Sequence, residues 1–582
     1  MIAKIYSAIP QGYDGYIVEV EGDIKQGLPS FNIVGMANKT ISEARERVRS
    51  AIMNSDLSFP AKKVTINLAP AELTKDGSHL DLPIALAVLM LSQQLLPEHL
   101  NPSSLFVGEL SLDGHTKPIR GIINIVETAK NAGYQKIFVP LQNLNQAQLV
   151  QGITIIGVPS LRELFLHLHK IRLINPSPHL PQQPSITPLE YPENHRVVKN
   201  TKTDSKSLNQ PILCPVKYPL LDHIRGQTIA KRALSIAVAG RHNILLTGPP
   251  GSGKTLLAHV AANLLPPPSP TELIEITKLH TLSSTSEQTI TTRPFRSPHH
   301  TASNTAIIGG GPYASPGEIS LAHQGVLFLD EFPEYHRNTI ESLRQPLEDG
   351  IITISRANTR YTYPASFMLI ATMNPCPCGY LGDRFHECTC TEAQIQAYKK
   401  RISGPILDRI DMVIHVNRVP TADLLPISAS NTSTSLDTPT KIMKHPTIVK
   451  NNKTDSIDHA PLPQNAQLQN TPKSVFSTTD ISDSEHTIVK NKIIDAVKIQ
   501  HLRYQSANRY NSNLRTHELQ HFLHITPEAH NFLQHAADKL QLSARGYLKV
   551  LKIAQTIADF DSVTEVKIEQ ISEALSFRQQ DS

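Results

Sequence analysis

The stretch HNILLTGPPGSGKTLLAHVAANLL, residues 242–265, decides the fold. Asn243 to Thr247 is a short apolar run that reads as a strand, and Leu256 to Leu265 reads as an apolar helix. Between them Gly248, Pro249, Pro250, Gly251, Ser252, Gly253, Lys254 and Thr255 match G-x-x-x-x-G-K-T. A strand, this loop and a helix in that order make a phosphate-binding site. The glycines let backbone N–H groups turn inward, and the helix N-terminus adds a favourable dipole. Lys254 reaches the β- and γ-phosphates, and Thr255 ligates Mg2+.

The second half of such a site is an acidic pair at the end of an apolar strand. GVLFLDEF, residues 325–332, supplies Asp330 to hold Mg2+ and Glu331 to polarise an attacking water. FMLIATMNP, residues 367–375, is another apolar strand, ending at Asn374, whose amide is placed to orient that water. In GPILDRIDMVIHV, Arg409 falls after a helix and before a strand, a place from which a guanidinium reaches a neighbouring subunit's γ-phosphate. LSARGYLKVLKIAQTIADF reads as a helix with Ser543 at its N-cap and Arg545 in its first turn. For both arginines an ordinary surface salt bridge is the alternative.

Two further clusters stand out. RPFRSPHHTASNTAIIGGGP gathers Arg293, Arg296, His299 and His300 around Phe295, a set suited to phosphates and to base stacking. It reads either as a DNA-facing or ring-pore loop, or as a loop packed on a neighbouring subunit. Cys376, Cys378, Cys388 and Cys390 form C-x-C-x9-C-x-C. Four thiolates suit tetrahedral Zn2+, with His386 as a substitute ligand; a reduced, unligated cluster is the alternative.

The rest of the chain sets the frame. In 582 residues, 40% are apolar, enough for several cores, while 18% are charged and 43 are proline. That mix reads as ordered domains joined by polar, Pro-rich linkers. The net charge of +5 permits a nucleic-acid partner without requiring one. Five cysteines in so long a chain exclude a disulfide scaffold. No apolar run approaches the roughly 20 residues of a membrane span, and MIAKIYSAIPQGYDGY lacks a leader's apolar core, so the expected setting is cytoplasmic with no membrane partner. Residues 173–221 are Pro-rich, and 427–485 hold no glycine and one aromatic, Phe476. VVKNTKTDS from Val197 and IVKNNKTDS from Ile448 repeat one another across these two segments, with a partial copy, IVKNK, from Ile488. The repeat reads as an inserted element in tolerant loops, or as a short linear motif for a partner. The expected division is 1–172, an α+β N-terminal domain; 173–221, a linker; 222–426, an ATPase core; 427–485, a low-complexity insertion expected to be disordered; and 486–582, a helical lid.

Beyond the phosphate loop, GQTIAKRALSIAVAGRHNILLTGPPGSGKT, RPFRSPHHTAS, PGEISLAHQGVLFLDEFPE, LRQPLEDG, ATMNPCPCGY and SGPILDRID resemble the magnesium-chelatase-like AAA+ ATPases, and among these the competence-associated ComM type of bacteria. GLPSFNIVGMANKTISEARERVRSAI and NLAPAELTKDGSHLDLPIAL extend the resemblance to the N-terminal region. It implies an α/β fold: a P-loop core with a parallel sheet between helices, a helical C-terminal lid, and an α+β N-terminal domain similar to Lon protease. It further implies ATP and Mg2+ as cofactors and a homohexameric ring, with Arg409 acting in trans and Arg545 as the lid sensor. Single-stranded or branched DNA is the implied partner, recombination proteins are possible partners, and the implied role is a helicase driving branch migration during natural transformation. Chelatase relatives instead remodel a partner protein, which is the alternative function. The resemblance to Lon does not extend to proteolysis. Its nucleophile position is His79 here, with Ser78 one place early, and its lysine position is Ile123, so the Ser–Lys dyad is missing.

Overall fold

A computed structural model describes residues 2–35, 40–71, 75, 78–175, 219–283, 290–311, 314–355, 360–383, 385–419 and 484–578. The expected linker and low-complexity insertion, with both full copies of the repeat, lie almost wholly outside the described residues. The partial copy at Ile488 falls inside the helix Glu485–Tyr504.

The N-terminal region is α+β, as its patterning predicts. Ile2–Gln11, Asp14–Lys25 and Lys63–Ala69 form an antiparallel sheet, and Ser30–Val34 joins its edge in parallel. KVTINLA alternates as expected and buries Val64, Ile66 and Leu68. The apolar helix Asp81–Leu91 is buried at every residue. Its one acid, Asp81, is met by Arg47 Nε at 2.8 Å, which makes its burial tolerable. The apolar pattern from Asp81 continues to Leu95, but the helix stops at Leu91 and Gln93 turns the chain at φ 61°. A three-stranded parallel sheet, Ser104–Phe106, Lys136–Pro140 and Thr154–Val158, completes the region. His79 and Ile123, at the two dyad positions, are both buried. Ser78 Oγ donates to the Glu109 carboxylate, and Lys75 Nζ donates to the carbonyls of Gly35 and Pro70, so Ser78 and Lys75 bond to different groups.

The N-terminal region docks on the core through the helix Pro270–Ser283. Lys278 Nζ bonds Glu127 at 2.6 Å and lies 4.0 Å from the Tyr13 ring centroid. The Gly121 N–H donates to the Thr281 carbonyl at 2.9 Å.

The core is one parallel sheet of five strands, in the spatial order Phe295–Arg296, Val326–Leu329, Met368–Met373, Ile244–Thr247, Met412–His415. Four-residue runs such as ILLT and VLFL are buried throughout, as a sheet covered on both faces requires. Register pairs Thr247 with Met373 and Leu329 with Ala371. The carboxyl ends of three neighbouring strands therefore deliver Gly248, Asp330 and Asn374 to one edge, where ligands of open α/β sheets bind.

Five helices from Glu485–Tyr504 to Ile568–Ser576 form the lid. Val550, Ile553 and Ile557 share a single core with Ala233, Ala237 and Ile244. Polar ties reinforce the joint: Arg232 bonds Asp561 at 2.7 Å and Glu573 at 2.9 Å. Asp411 makes a buried one. Its carboxylate accepts from the Asn243 N–H at 2.9 Å and pairs with Lys549 Nζ of the lid at 2.9 Å, with His242 Nδ1 at 3.6 Å.

Burial alone pushes the Asp411 carboxyl up, but the Lys549 ammonium and His242 outweigh it and hold it well below the usual carboxylate range. A depressed folded pKa contributes stability above the unfolded value of about 4 and loses it as pH falls through the folded one. Asp411→Asn strands Lys549 in the interior and is expected to cost roughly 3 kcal/mol. A lowered melting temperature at neutral pH, and a difference from wild type that shrinks in acid, are the outcomes to read by calorimetry.

Candidate functional site

The phosphate loop leaves its strand at Thr247 and enters the helix Lys254–Leu264, whose N-cap is Gly253. Gly251 and Gly253 stand at φ 75° and 90° with nothing within 4 Å of an added Cβ, so backbone conformation and not crowding demands glycine there. At Gly248 the demand is space, since a Cβ would collide with the Val416 carbonyl. Lys254 Nζ donates to the carbonyls of Gly248 at 2.8 Å and Pro249 at 2.9 Å, and to Asn374 Oδ1 at 3.3 Å. Burial lowers its pKa, against the opposing pull of Asp330 and Glu331. Among the described residues the buried Ser252 Oγ has no hydrogen-bond partner.

Asp330 sits beside the loop. Thr255 Oγ1 lies 3.2 Å from its Oδ2, a pair of hard oxygen donors of the kind Mg2+ takes. Thr372 Oγ1 donates to the other oxygen of Asp330 and accepts from the Glu331 N–H at 3.0 Å. Glu331 itself is in the left-handed region at φ 53°, uncommon for a residue with a side chain. Its carboxylate is exposed and lies 3.7 Å from His300 Nδ1. The residues present therefore fit a nucleotide with Mg2+: a glycine-rich turn into a helix N-terminus, a cation, two oxygen donors, and an exposed carboxylate one residue on.

Both candidate arginines are bonded outside the phosphate loop. Arg409 Nη1 donates to the Pro405 carbonyl at 2.8 Å, and its Nη2 bonds Glu348. Arg545, which follows the observed Ser543 cap, bonds the other oxygen of Glu348 at 3.0 Å and Asp408 at 3.5 Å. One carboxylate thus gathers both guanidinium groups, and none of these bonds goes to Gly248–Thr255.

The expected basic patch is not assembled. Arg293 is buried, bonded twice to Glu272 at 3.0 and 2.8 Å and to the carbonyls of Pro266 and Gln324. It neutralises a carboxylate that is also 1% exposed and shared with Arg241. Arg296 is engaged by both oxygens of Glu318 at 2.5 Å. Phe295 packs on Phe328 and His259 against the core, so its ring is not offered for stacking. His299 and His300 remain, with ring centroids 4.1 Å apart.

The four cysteines do converge, with their sulfur atoms all within 4.8 Å of one another. His386 instead bonds Asp383 and Arg418 and stacks on Tyr380. Thr372, Glu348 and Arg418 escaped the sequence reading. Only Thr372 left a trace, as a polar residue in an apolar strand two places before Asn374.

Three family models match the chain: magnesium chelatase, subunit ChlI, over residues 220–424; subunit ChlI of Mg-chelatase over 20–143; and the magnesium chelatase subunit ChlI C-terminal region over 483–578. Competence protein ComM of Haemophilus influenzae is 35% identical over 99% of this chain and 97% of its own. Uncharacterized protein YifB of Escherichia coli is 34% identical over 99% and 97%. The magnesium-chelatase 67 kDa subunit of Chlorobaculum parvum matches 26% of this chain and 23% of its own at 25% identity.

Glu331→Gln keeps the loop, the Thr255 and Asp330 oxygens and the amide of Asn374, and removes only the carboxylate expected to polarise water. Hydrolysis is expected to fall by about 10² to 10⁴. Binding of a fluorescent ATP analogue should stay within about twofold of wild type.

Proposed function

The chain belongs to the magnesium-chelatase-like AAA+ ATPase family, ComM type, and from that premise we propose that it is an ATP-driven DNA helicase promoting branch migration in natural transformation. The family implies ATP and Mg2+, and Gly248 to Thr255 with Asp330 hold donors suited to both. Bound there, the nucleotide supplies the free energy of its terminal phosphoanhydride bond. Glu331 takes the proton side of water activation, Asn374 orients the water, and Lys254 exchanges its two loop carbonyls for phosphate oxygens.

The observation that carries the reading is Glu348, which gathers Arg409 and Arg545 in bonds that do not involve the chain's own phosphate loop. A site built this way is completed from outside, so the working form is a homohexamer in which one subunit's arginine pair serves the next. A guanidinium so placed is worth on the order of 10³ to 10⁵ in turnover. Coverage of nearly all of a competence protein's length supports the DNA role over partner-protein remodelling. His300 Nδ1 lies 3.7 Å from the Glu331 carboxylate and links the loop after Arg296 to the acidic pair. A cytoplasmic location belongs to the same proposal. Among the described residues no helix is long and apolar enough to cross a membrane.

ATP turnover by the full chain should rise at least about fivefold with single-stranded or four-way-junction DNA, by the coupling typical of linked sites. Labelled junctions should resolve only when ATP is present. Turnover indifferent to DNA, with no junction resolved, overturns the proposal in favour of protein remodelling.

A further inference from the structure

The cysteine cluster sits where the ATPase reading puts no chemistry. It begins two residues after Asn374, and its loop returns to the phosphate loop at Gly379. Cys376 Sγ lies 3.3 Å from Cys378 Sγ and 3.6 Å from Cys388 Sγ; Cys378 and Cys388 are also 3.6 Å apart. A disulfide holds its sulfurs at about 2.05 Å, so these are separate thiols. Zinc–thiolate bonds of about 2.3 Å arranged tetrahedrally place neighbouring sulfurs about 3.8 Å apart. Four sulfurs this close surround one ion and leave no room for an iron–sulfur cluster.

The backbone is shaped for the same purpose. The Leu381 N–H points at Cys376 Sγ and the Cys378 N–H at Cys390 Sγ, each at 3.4 Å. N–H groups aimed at sulfur stabilise the thiolate form that a metal requires. The C-x-C turns are thus already folded as ligand knuckles.

The loop also touches the nucleotide site directly. Gly379, at φ 87°, presses so close to the phosphate loop that an added Cβ would lie 2.7 Å from Pro250 Cδ. Arg418 donates to the Pro250 carbonyl at 3.2 Å and with its other nitrogen meets His386, while Asp383 bonds His386 at 3.2 Å. Asn374, which receives Lys254, leads straight into Cys376.

We propose that Cys376, Cys378, Cys388 and Cys390 bind a single Zn2+ that braces residues 376–390 against Pro250 and so holds the phosphate loop and Asn374 in register. The brace rests on the nucleotide-site reading; the metal site does not. Zinc makes no contact with the reacting phosphate in this scheme. It is a structural tie, and its loss loosens a loop whose shape sets nucleotide affinity.

The test uses the full-length chain, purified without a metal-affinity column. Metal analysis should find about one zinc per chain, and Cys388→Ser should lose most of it, as a four-coordinate structural site requires. Zinc below about 0.1 per chain, or iron in its place, overturns the site. Removing zinc from wild type with an organomercurial and a chelator should weaken binding of a fluorescent ATP analogue by at least about tenfold, the scale of a small misplacement in a preorganised site. Returning zinc should restore wild type but not Cys388→Ser. Zinc present at full occupancy with nucleotide affinity unchanged on its removal overturns the brace. A chain that holds zinc but binds no nucleotide at all contradicts the ATPase reading and leaves the metal site standing.

Discussion

Everything at the nucleotide site depends on a backbone constraint. A buried strand turns into a helix over Gly248–Thr255, and the positive φ of 75° and 90° at Gly251 and Gly253 is backbone that residues with a Cβ rarely adopt. The sheet supplies the rest. Because Val326–Leu329 and Met368–Met373 are neighbouring parallel strands that end at one edge, Asp330 and Asn374 arrive together beside the loop. Thr372 then joins the acidic pair to the central strand, and the cysteine loop packs on Pro250.

The lid and the arginine pair form a second layer of organisation. Asp411 ties Lys549 to the end of the strand that carries the phosphate loop, through the Asn243 N–H. Arg545 leaves the N-terminus of the helix that carries Lys549, and Arg409 lies two residues before Asp411. Lid position and arginine position are therefore one mechanical variable. A displacement of the lid moves Arg545 relative to Glu348.

Much of this was legible in the sequence, for a physical reason. The phosphate loop, the acidic pair and the strand before Asn374 are local signals: short apolar runs ending in fixed polar residues. Core strands of four residues, the buried helix after Leu80 and the Ser543 cap were readable for the same reason. What pairing decides was not readable. Arg293, Arg296 and Phe295 look like an exposed patch in one dimension, but Glu272, Glu318 and Phe328 claim them from distant segments. Glu348 gives no sign in LRQPLEDG that it will collect two arginines. The cysteine spacing announced a metal-like cluster, but its contact with Pro250 depends on Gly379 and Arg418, which no spacing rule singles out.

The central claim is that the nucleotide site is completed across a subunit boundary. Its most direct measurement is a structure of the assembled ring with a non-hydrolysable ATP analogue and Mg2+. The account predicts that Lys254 has left the carbonyls of Gly248 and Pro249 for phosphate oxygens. It also predicts that Arg409 and Arg545 have both left Glu348, with at least one guanidinium about 3 Å from the neighbouring subunit's γ-phosphate. Finding both arginines turned onto the nucleotide of their own chain, or still held by Glu348 in a filled ring, contradicts it.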